Sequence, residues 1–461
     1  MKTINNYNLD CTFKPKSIAV IGASTKPGRV GYEIVKNLIN GGFHGRLYPV
    51  NPKGGEISGY KVYKDISEVD DEVDLALIAL PAEKAVNIID KVGTKGVKSV
   101  VVFSSGFSEI GNLELEKQLY RKCREYGIRV IGPNCAGIIY WGSNLYASFV
   151  PGVKKGDLAL ISQSGALTAV LVDYLNWKDI GLSLLVSYGN RIDVNEIDIM
   201  TYFRDDESIK AFMIYLEGFR RGEGRIFTEA VKDILRFKPI VVLKAGRGTA
   251  GERAVKSHTG ALAGDYKLYS DILSSMGVAL VDEYYELVDV AEALSVLPQP
   301  KSDNIVIITN SGGPAAILAD FISYFGLKLP ELPSALKEKL NFLPSYMGRT
   351  NPIDLTASGL SDIYYETLRV VLKDEWPGCI LTIHVPPSFV NPVEIASAVR
   401  DAYLDSKVEK PLIPLFLGLR REQAYKVLRL SGVFPTPFNH RSAALSVKWL
   451  YRYWRARLRL S

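Results

Sequence analysis

Histidine and cysteine are scarce in this chain: there are four of each among 461 residues. Cys11, Cys123, Cys135 and Cys379 form no C-x-x-C pair and no metal-ligand spacing. That pattern favours buried thiols of a reducing compartment over a disulfide framework, and it offers no cysteine-built metal centre. No metal ligand set is expected on the chain. Long apolar runs are missing too, because Gly, Pro, Asn or a charge interrupts each before it reaches bilayer length. The opening MKTINNYNLDCTFKPK has no apolar core of the signal-peptide kind. A cytoplasmic protein without a membrane partner is the expectation.

Excess charge is confined to one place. The formal net charge is +6, yet eight Lys or Arg and no acid follow Glu422, leaving about −2 for everything before it. The basic excess therefore belongs to a C-terminal helix ending in YRYWRARLRLS. A solvated helix end or a subunit contact fits it better than a nucleic-acid groove, so no nucleic acid is expected as a partner.

What is present is α/β patterning, three times over. SIAVIG (17–22), RLYPV (46–50), VDLALIAL (73–80), KSVVVF (98–103) and IRVIG (128–132) are near-continuous apolar runs, as in strands buried on both faces of a parallel sheet. Amphipathic stretches such as GYEIVKNLI and AEKAVNIIDKV alternate with them. A second series opens at KKGDLALISQSGALTAV and runs through GLSLLVSYG, SIKAFMIYL and KPIVVLKAG, then two helices to about residue 297. LPQPKSD (297–303) reads as a linker, and NIVIITNSGGPAAILADFISYFG starts a third series with later strands CILTIHVP and KPLIPLFLG. The chain is too long for one core. The expected architecture is an α/β protein of three consecutive domains: a Rossmann-like one at 1–150, then two built on the same strand–loop–helix principle at 151–298 and 299–461.

Ligands of open α/β sheets bind at the carboxyl ends of strands, so the loops there carry the chemistry. GASTKPGRVG (Gly22–Gly31) has G-x5-G-x-x-G spacing rather than the dinucleotide fingerprint, but its glycines, Lys26, Arg29 and the following helix N-terminus suit a phosphate. After the second strand, Asn51, Pro52 and Lys53 stand where an NAD site needs an acid, which points to a nucleotide with extra phosphate such as NADP or coenzyme A. A plain surface turn remains the alternative for either stretch. SQSGALTAV (Ser162–Val170) offers two hydroxyls and a glycine at a strand-to-helix turn, without the G-x-S-x-G of a serine hydrolase. NSGGPA (Asn310–Ala315) is built alike, and two such helix N-termini are expected to serve one phosphate.

His258 lies in KSHTGALAG, where small neighbours leave its ring room to move. Neutral imidazole is a good nucleophile for phosphorus, and its second nitrogen needs a carboxylate to fix the tautomer. Glu217, after the strand SIKAFMIYL, is the candidate; a histidine without chemistry stays open on these residues alone. His44 falls in a turn, His384 within a strand and His440 near a helix start.

Eight motifs in order now coincide: SIAVIGAS..PG.VG, YPVNPK, VIGPNCAG (130–137), LISQSGALT, YLEG, SHTGALAG, NSGGPA and TNPIDLT (350–356). With them the chain resembles, over nearly its whole length, the α subunits of ADP-forming acyl-CoA synthetases, relatives of succinyl-CoA synthetase. The resemblance implies an N-terminal CoA-binding domain followed by two flavodoxin-like, succinyl-CoA synthetase-like domains, that His258 is phosphorylated and that Glu217 orients it. It implies phosphate contacts from Ser162, Gln163, Ser164 and Gly165, and from Asn310, Ser311, Gly312 and Gly313. For CoA it implies Gly22, Ala23, Ser24, Lys26, Pro27, Gly28, Gly31, Asn51, Lys53, Pro81, Ser104, Ser105 and Gly106, with Pro133 and Asn134 near the reacting acyl end.

An ATP-grasp domain for ADP, ATP and Mg²⁺ is absent from the chain, so the resemblance implies a separate β subunit, in a heterotetramer of two α and two β. A succinyl-CoA synthetase-type ligase subunit and a non-catalytic CoA sensor are the alternatives. The third domain argues against the first, and His258 with Glu217 against the second. The carboxylic acid and the physiological direction are not encoded in any spacing.

Overall fold

The computed structural model describes residues 9–219, 223–259, 266–418 and 420–460, the side chains of 256–259 excepted. Its contacts divide it into two units, Met1–Leu273 and Ser274–Ser461.

The first unit begins with five parallel strands: β1 (Ser17–Ile21), β2 (Arg46–Val50), β3 (Leu75–Ile78), β4 (Ser99–Val102) and β5 (Arg129–Ile131), in the order β2-β1-β3-β4-β5. The order reverses at β1, and that is where a doubly wound sheet opens a crevice for ligand. Ala19, Ile78, Val100 and Val102 are fully buried and meet Ile89 and Leu119 of the flanking helices in one core. The apolar runs of the sequence are thus fully buried strands, as their lack of alternation implies.

Some strands appear that no sequence pattern announced. β6 (Gly137–Tyr140) and β7 (Leu145–Ser148) form an antiparallel hairpin, turned by Asn144 in the left-handed region (φ 52°). β6 pairs antiparallel with β9 (Leu182–Ser187), matching Tyr140 to Leu184. The chain therefore joins its second set of strands well before residue 151. A run as short as GIIY is ambiguous by periodicity, and only the free edge of β9 makes it a strand.

Around that edge lie β8 (Lys155–Ser162), β10 (Ala211–Leu216) and β11 (Ile240–Lys244), in the order β11-β10-β8-β9-β6-β7. The pairs β8–β9, β8–β10 and β10–β11 are parallel, with Ser162 opposite Tyr215 and Leu216 opposite Lys244. This register brings Ser162, Glu217 and Lys244 to the same carboxyl edge.

Three helices, not two, follow β11: Thr249–Thr259, Tyr266–Met276 and Tyr284–Val296. Gly277 (φ +92°) ends the second of them, since a side chain there is strained and its Cβ would lie 2.4 Å from that of Ala456.

The second unit centres on β12 (Ile305–Thr309), β13 (Ile353–Asp354), β14 (Cys379–His384) and β15 (Leu412–Phe416), parallel in the order β13-β12-β14-β15. Its basic C-terminal helix, His440–Leu460, packs along Tyr284–Val296 and Gly312–Tyr324. Arg441 reaches Asp282 at 2.7 Å and the wholly buried Glu286 at 2.5 Å. Arg441 is therefore internal scaffolding, while Arg452, Arg455 and Arg459 of the same helix stay exposed.

The four cysteines are free; three are buried and Cys11 is half-buried. No helix among the described residues is long and apolar enough to cross a membrane.

Candidate active site

At the crevice above β1, Gly22, Ser24, Thr25, Lys26, Arg29, Val30, Gly31, Asn51, Lys53, Gly54 and Ala79 enclose a cleft of about 480 Å³. Two glycines make it possible. A Cβ on Gly31 would stand 2.1 Å from the Gly22 carbonyl oxygen, and one on Gly22 would stand 2.3 Å from that of Ala79. The helix Val30–Asn40 can therefore bring its N-terminus against the strand ends, and no side chain caps it. Three cations stand at the cleft: Lys26, Arg29 and Lys53. Asn51 holds the two loops together, donating to the Ala23 carbonyl (2.7 Å) and accepting from Lys53 N–H (3.0 Å). A helix terminus, backbone amides and three cations are what a multiply phosphorylated ligand requires.

Pro27 and Gly28 form the exposed rim, and the Gly28 amide is taken by Glu33 at 2.9 Å. Pro81 and Ser104–Gly106 follow the next two strands, outside this cleft.

The second cluster lies along β8, β10 and β11. Ser162 is wholly buried; its hydroxyl donates to the Ser164 carbonyl (2.9 Å) and accepts from the Ser164 amide (3.2 Å). Ser164 then caps the helix Gly165–Trp177 by accepting from Leu167 N–H at 3.2 Å. Gln163 turns its side-chain oxygen to the backbone amides of Glu217 and Gly218. Sequence motifs 54 residues apart thus share one hydrogen-bonded corner. Glu217 is 7% exposed, and Tyr215 hydrogen-bonds its carboxylate; burial first, then that carboxylate, pushes the Tyr215 hydroxyl up. His258 belongs to the helix Thr249–Thr259, but its side chain lies outside the described residues, as does Gly260–Asp265.

Comparison with known proteins shows the family. A CoA binding domain matches residues 16–141, a succinyl-CoA ligase like flavodoxin domain residues 155–294 and a ligase-CoA domain residues 305–461. The α subunit of acetate–CoA ligase [ADP-forming] I of Pyrococcus furiosus is 41% identical over 98% of this chain and 99% of its own length. The chain belongs to that family, the α subunits of ADP-forming acetate–CoA ligases. A longer relative, acetate–CoA ligase [ADP-forming] of Methanocaldococcus jannaschii, is 37% identical over 97% of the chain and 64% of its own length. The solved acetyl-coenzyme A synthetase 1 of Ca. Korarchaeum cryptofilum, in complex with phosphate and ADP, superposes with a TM-score of 0.91 at 35% identity, over 98% of each chain.

In this α-subunit family member, Asn134 sits beneath a corner that the sequence did not announce. It takes the left-handed conformation (φ 57°), donates its amide to the Ser104 carbonyl (2.8 Å) and its side chain to Asn190 (3.2 Å). Asn190 in turn donates to Glu109 (2.6 Å), Glu116 (2.8 Å) and Ser108 (3.1 Å). Burial raises the Glu109 carboxyl, but Asn190 and the amides of Gly106 and Phe107 outweigh it and hold the group below its ordinary value. Gly189 allows the approach, since a Cβ would lie 2.2 Å from the carbonyls of both Pro133 and Asn134. Asn190, Glu109 and Glu116 went unread in the sequence. The available signal was a polar cluster, YGNRID, straight after an apolar strand.

In the second unit the NSGGPA loop repeats the local device of SQSG. Thr309 donates to the Ser311 carbonyl (2.9 Å) and accepts from its amide (3.0 Å), as Ser162 does with Ser164. Asn310 spends both ends of its amide on Val385, donating at 2.8 Å and accepting at 2.9 Å. It therefore pins the loop. Space around Gly313 is open.

Proposed function

We propose that the chain carries the acyl and phosphoryl half-reactions of an ADP-forming acyl-CoA synthetase, interconverting acyl-CoA, ADP and phosphate with carboxylic acid, ATP and CoA. The observation that carries this is the hydrogen-bonded corner joining Gln163 of the SQSG loop to Glu217 of the YLEG motif. It supports the reading because a helix N-terminus and a buried carboxylate then lie side by side.

In this reading the Gly22–Gly31 loop and Lys53 hold the phosphates of CoA, and Asn134 borders the acyl group. Phosphate oxygen attacks the thioester carbonyl, the C–S bond breaks and the thiolate departs, leaving an acyl phosphate. A neutral ring nitrogen of His258 then attacks phosphorus. The N–P bond forms as the P–O bond to the acyl oxygen breaks, and its electron pair leaves with the carboxylate. Glu217 accepts the hydrogen bond of the other ring nitrogen, which fixes the tautomer and balances the cationic ring. The Ser164 helix terminus and Ser311–Gly313 are the phosphate-binding elements. An ATP-grasp β subunit, holding ADP and Mg²⁺, receives the phosphoryl group in an α₂β₂ assembly, and the small residues around His258 allow the carrier to travel.

The test is phosphate incorporation that is acid-labile and alkali-stable. His258→Ala abolishes it while CoA binding persists; Glu217→Gln slows it, on the order of 10²-fold or more, without unfolding the chain. Persistent labelling of His258→Ala would remove the phosphohistidine from the scheme. Co-expression with an ATP-grasp partner, followed by ADP- and phosphate-dependent cleavage of a panel of acyl-CoAs, identifies the acid.

A further inference from the structure

β11 reads Ile-Val-Val-Leu-Lys, and its last residue stays inside: Lys244 is 4% exposed. Its ammonium donates to the carbonyl of Glu217 (2.8 Å) and to that of Ala245 (2.5 Å). One of these carbonyls belongs to the segment bearing the carboxylate. The other begins the segment leading to the helix Thr249–Thr259, which carries His258. The ammonium also lies 5.2 Å from the centre of the Tyr269 ring.

We propose that Lys244 is a positioning residue of the phosphoryl-transfer site, tying the Glu217 segment to the His258 segment and supplying the charge that keeps the Glu217 carboxylate ionised. The inference rests on the function proposed above and deepens it.

Two carbonyls need only a donor, so geometry alone does not call for a charge. Burying an ammonium is costly, and an uncharged amide would avoid that cost. What the charge meets is acidic. Glu217 follows β10 and Glu252 lies on Thr249–Thr259, and both act to raise the lysine pKa. Tyr215 on β10 and Tyr269 on Tyr266–Met276 are the other titratable neighbours. Arg191 is already engaged, in ion pairs with Glu196 and Glu223 at 2.7 Å.

A phosphoryl group arriving here meets carboxylates, and an ammonium among them lowers that repulsion. It also disfavours protonation of Glu217, whose acceptor oxygen the histidine N–H requires. Burial dominates for the lysine itself, which is pushed down to about 8. Its charge is therefore lost within an accessible range.

The experiment is labelling of the full chain by radiolabelled acetyl phosphate, an acyl phosphate of the kind the reaction forms. Wild type, Lys244→Met, Lys244→Arg and His258→Ala are compared, with melting temperatures as the folding control. Lys244→Met labels roughly tenfold to a hundredfold more slowly, the scale at which losing a partner that orients a reacting group lowers activity. The wild-type rate falls as pH rises through about 8, whereas Lys244→Arg, which cannot deprotonate, shows no such limb.

If Lys244→Met labels at the wild-type rate, or if wild type and Lys244→Arg share one pH profile, the inference fails. Should Lys244→Met not fold, the comparison of those two profiles decides. Failure of the parent reading looks different: His258→Ala labels as wild type does, or no protein labels at all.

Discussion

The side-chain oxygen of Gln163 accepts the backbone N–H of Glu217. A residue of the expected phosphate loop is thus committed to holding the carboxylate in place. Gln163→Leu leaves a buried amide unpartnered, which costs about 1–3 kcal/mol. The expected result is a lower melting temperature together with slower phosphate labelling. Gln163→Glu cannot rescue it fully, because it adds a charge beside Glu217. Thermal melts and labelling rates of the two variants check this.

Gly31 and Gly28 separate two uses of glycine in one loop. Gly31→Ala drives a Cβ to 2.1 Å from a backbone carbonyl that cannot move aside. Overpacking of this kind costs about 1–3 kcal/mol, and CoA affinity is expected to be lost with it. Gly28→Ala meets open space but keeps a left-handed backbone (φ +77°). About 1–2 kcal/mol of strain is expected there, with CoA binding weakened but measurable. Calorimetric titration with CoA distinguishes the pair.

His384 is 1% exposed at the end of β14, between the rings of Tyr364 and Phe416. Burial, and then Arg420, pushes its pKa down to about 4. Below the ordinary histidine value the unfolded chain takes up a proton that the folded one refuses. Stability is therefore complete above about pH 6.5 and declines as pH falls towards 4. His384→Leu, apolar and of similar bulk, is expected to flatten that decline in denaturation midpoints measured between those two pH values.

Asn190 gathers Glu109 and Glu116 on one amide nitrogen. Asn190→Asp replaces a donor by a third carboxylate. It is expected to destabilise the chain more than Asn190→Ala at pH 7, since like charges then share one corner. As pH falls towards 5 a proton binds between them and the difference narrows. Melting temperatures of the two variants at both pH values test this.

The strands of the two larger sheets in the first unit, apart from β6 and β7, were legible because near-continuous apolar runs leave little else for the chain to do. The loops were legible because Gly22, Gly31, Ser164 and Gly312 stand where a strand turns into a helix. The hairpin Gly137–Ser148 was not legible, since its pairing exists only because β9 offers a free edge. The side-chain partner of Asn310 was not legible for a related reason: it is Val385, which is 75 residues away.

By itself, then, the sequence determined the three α/β series, the phosphate-type loops and the family. These depend on local pattern: apolar runs, glycine at tight turns, hydroxyls at helix starts. Tertiary structure decided which partners those residues have. Gln163 with Glu217, Lys244 with two loops, and Asn190 with Glu109 are contacts made where parallel strands end together. Strand order, unlike strand identity, is not written in any single stretch of chain.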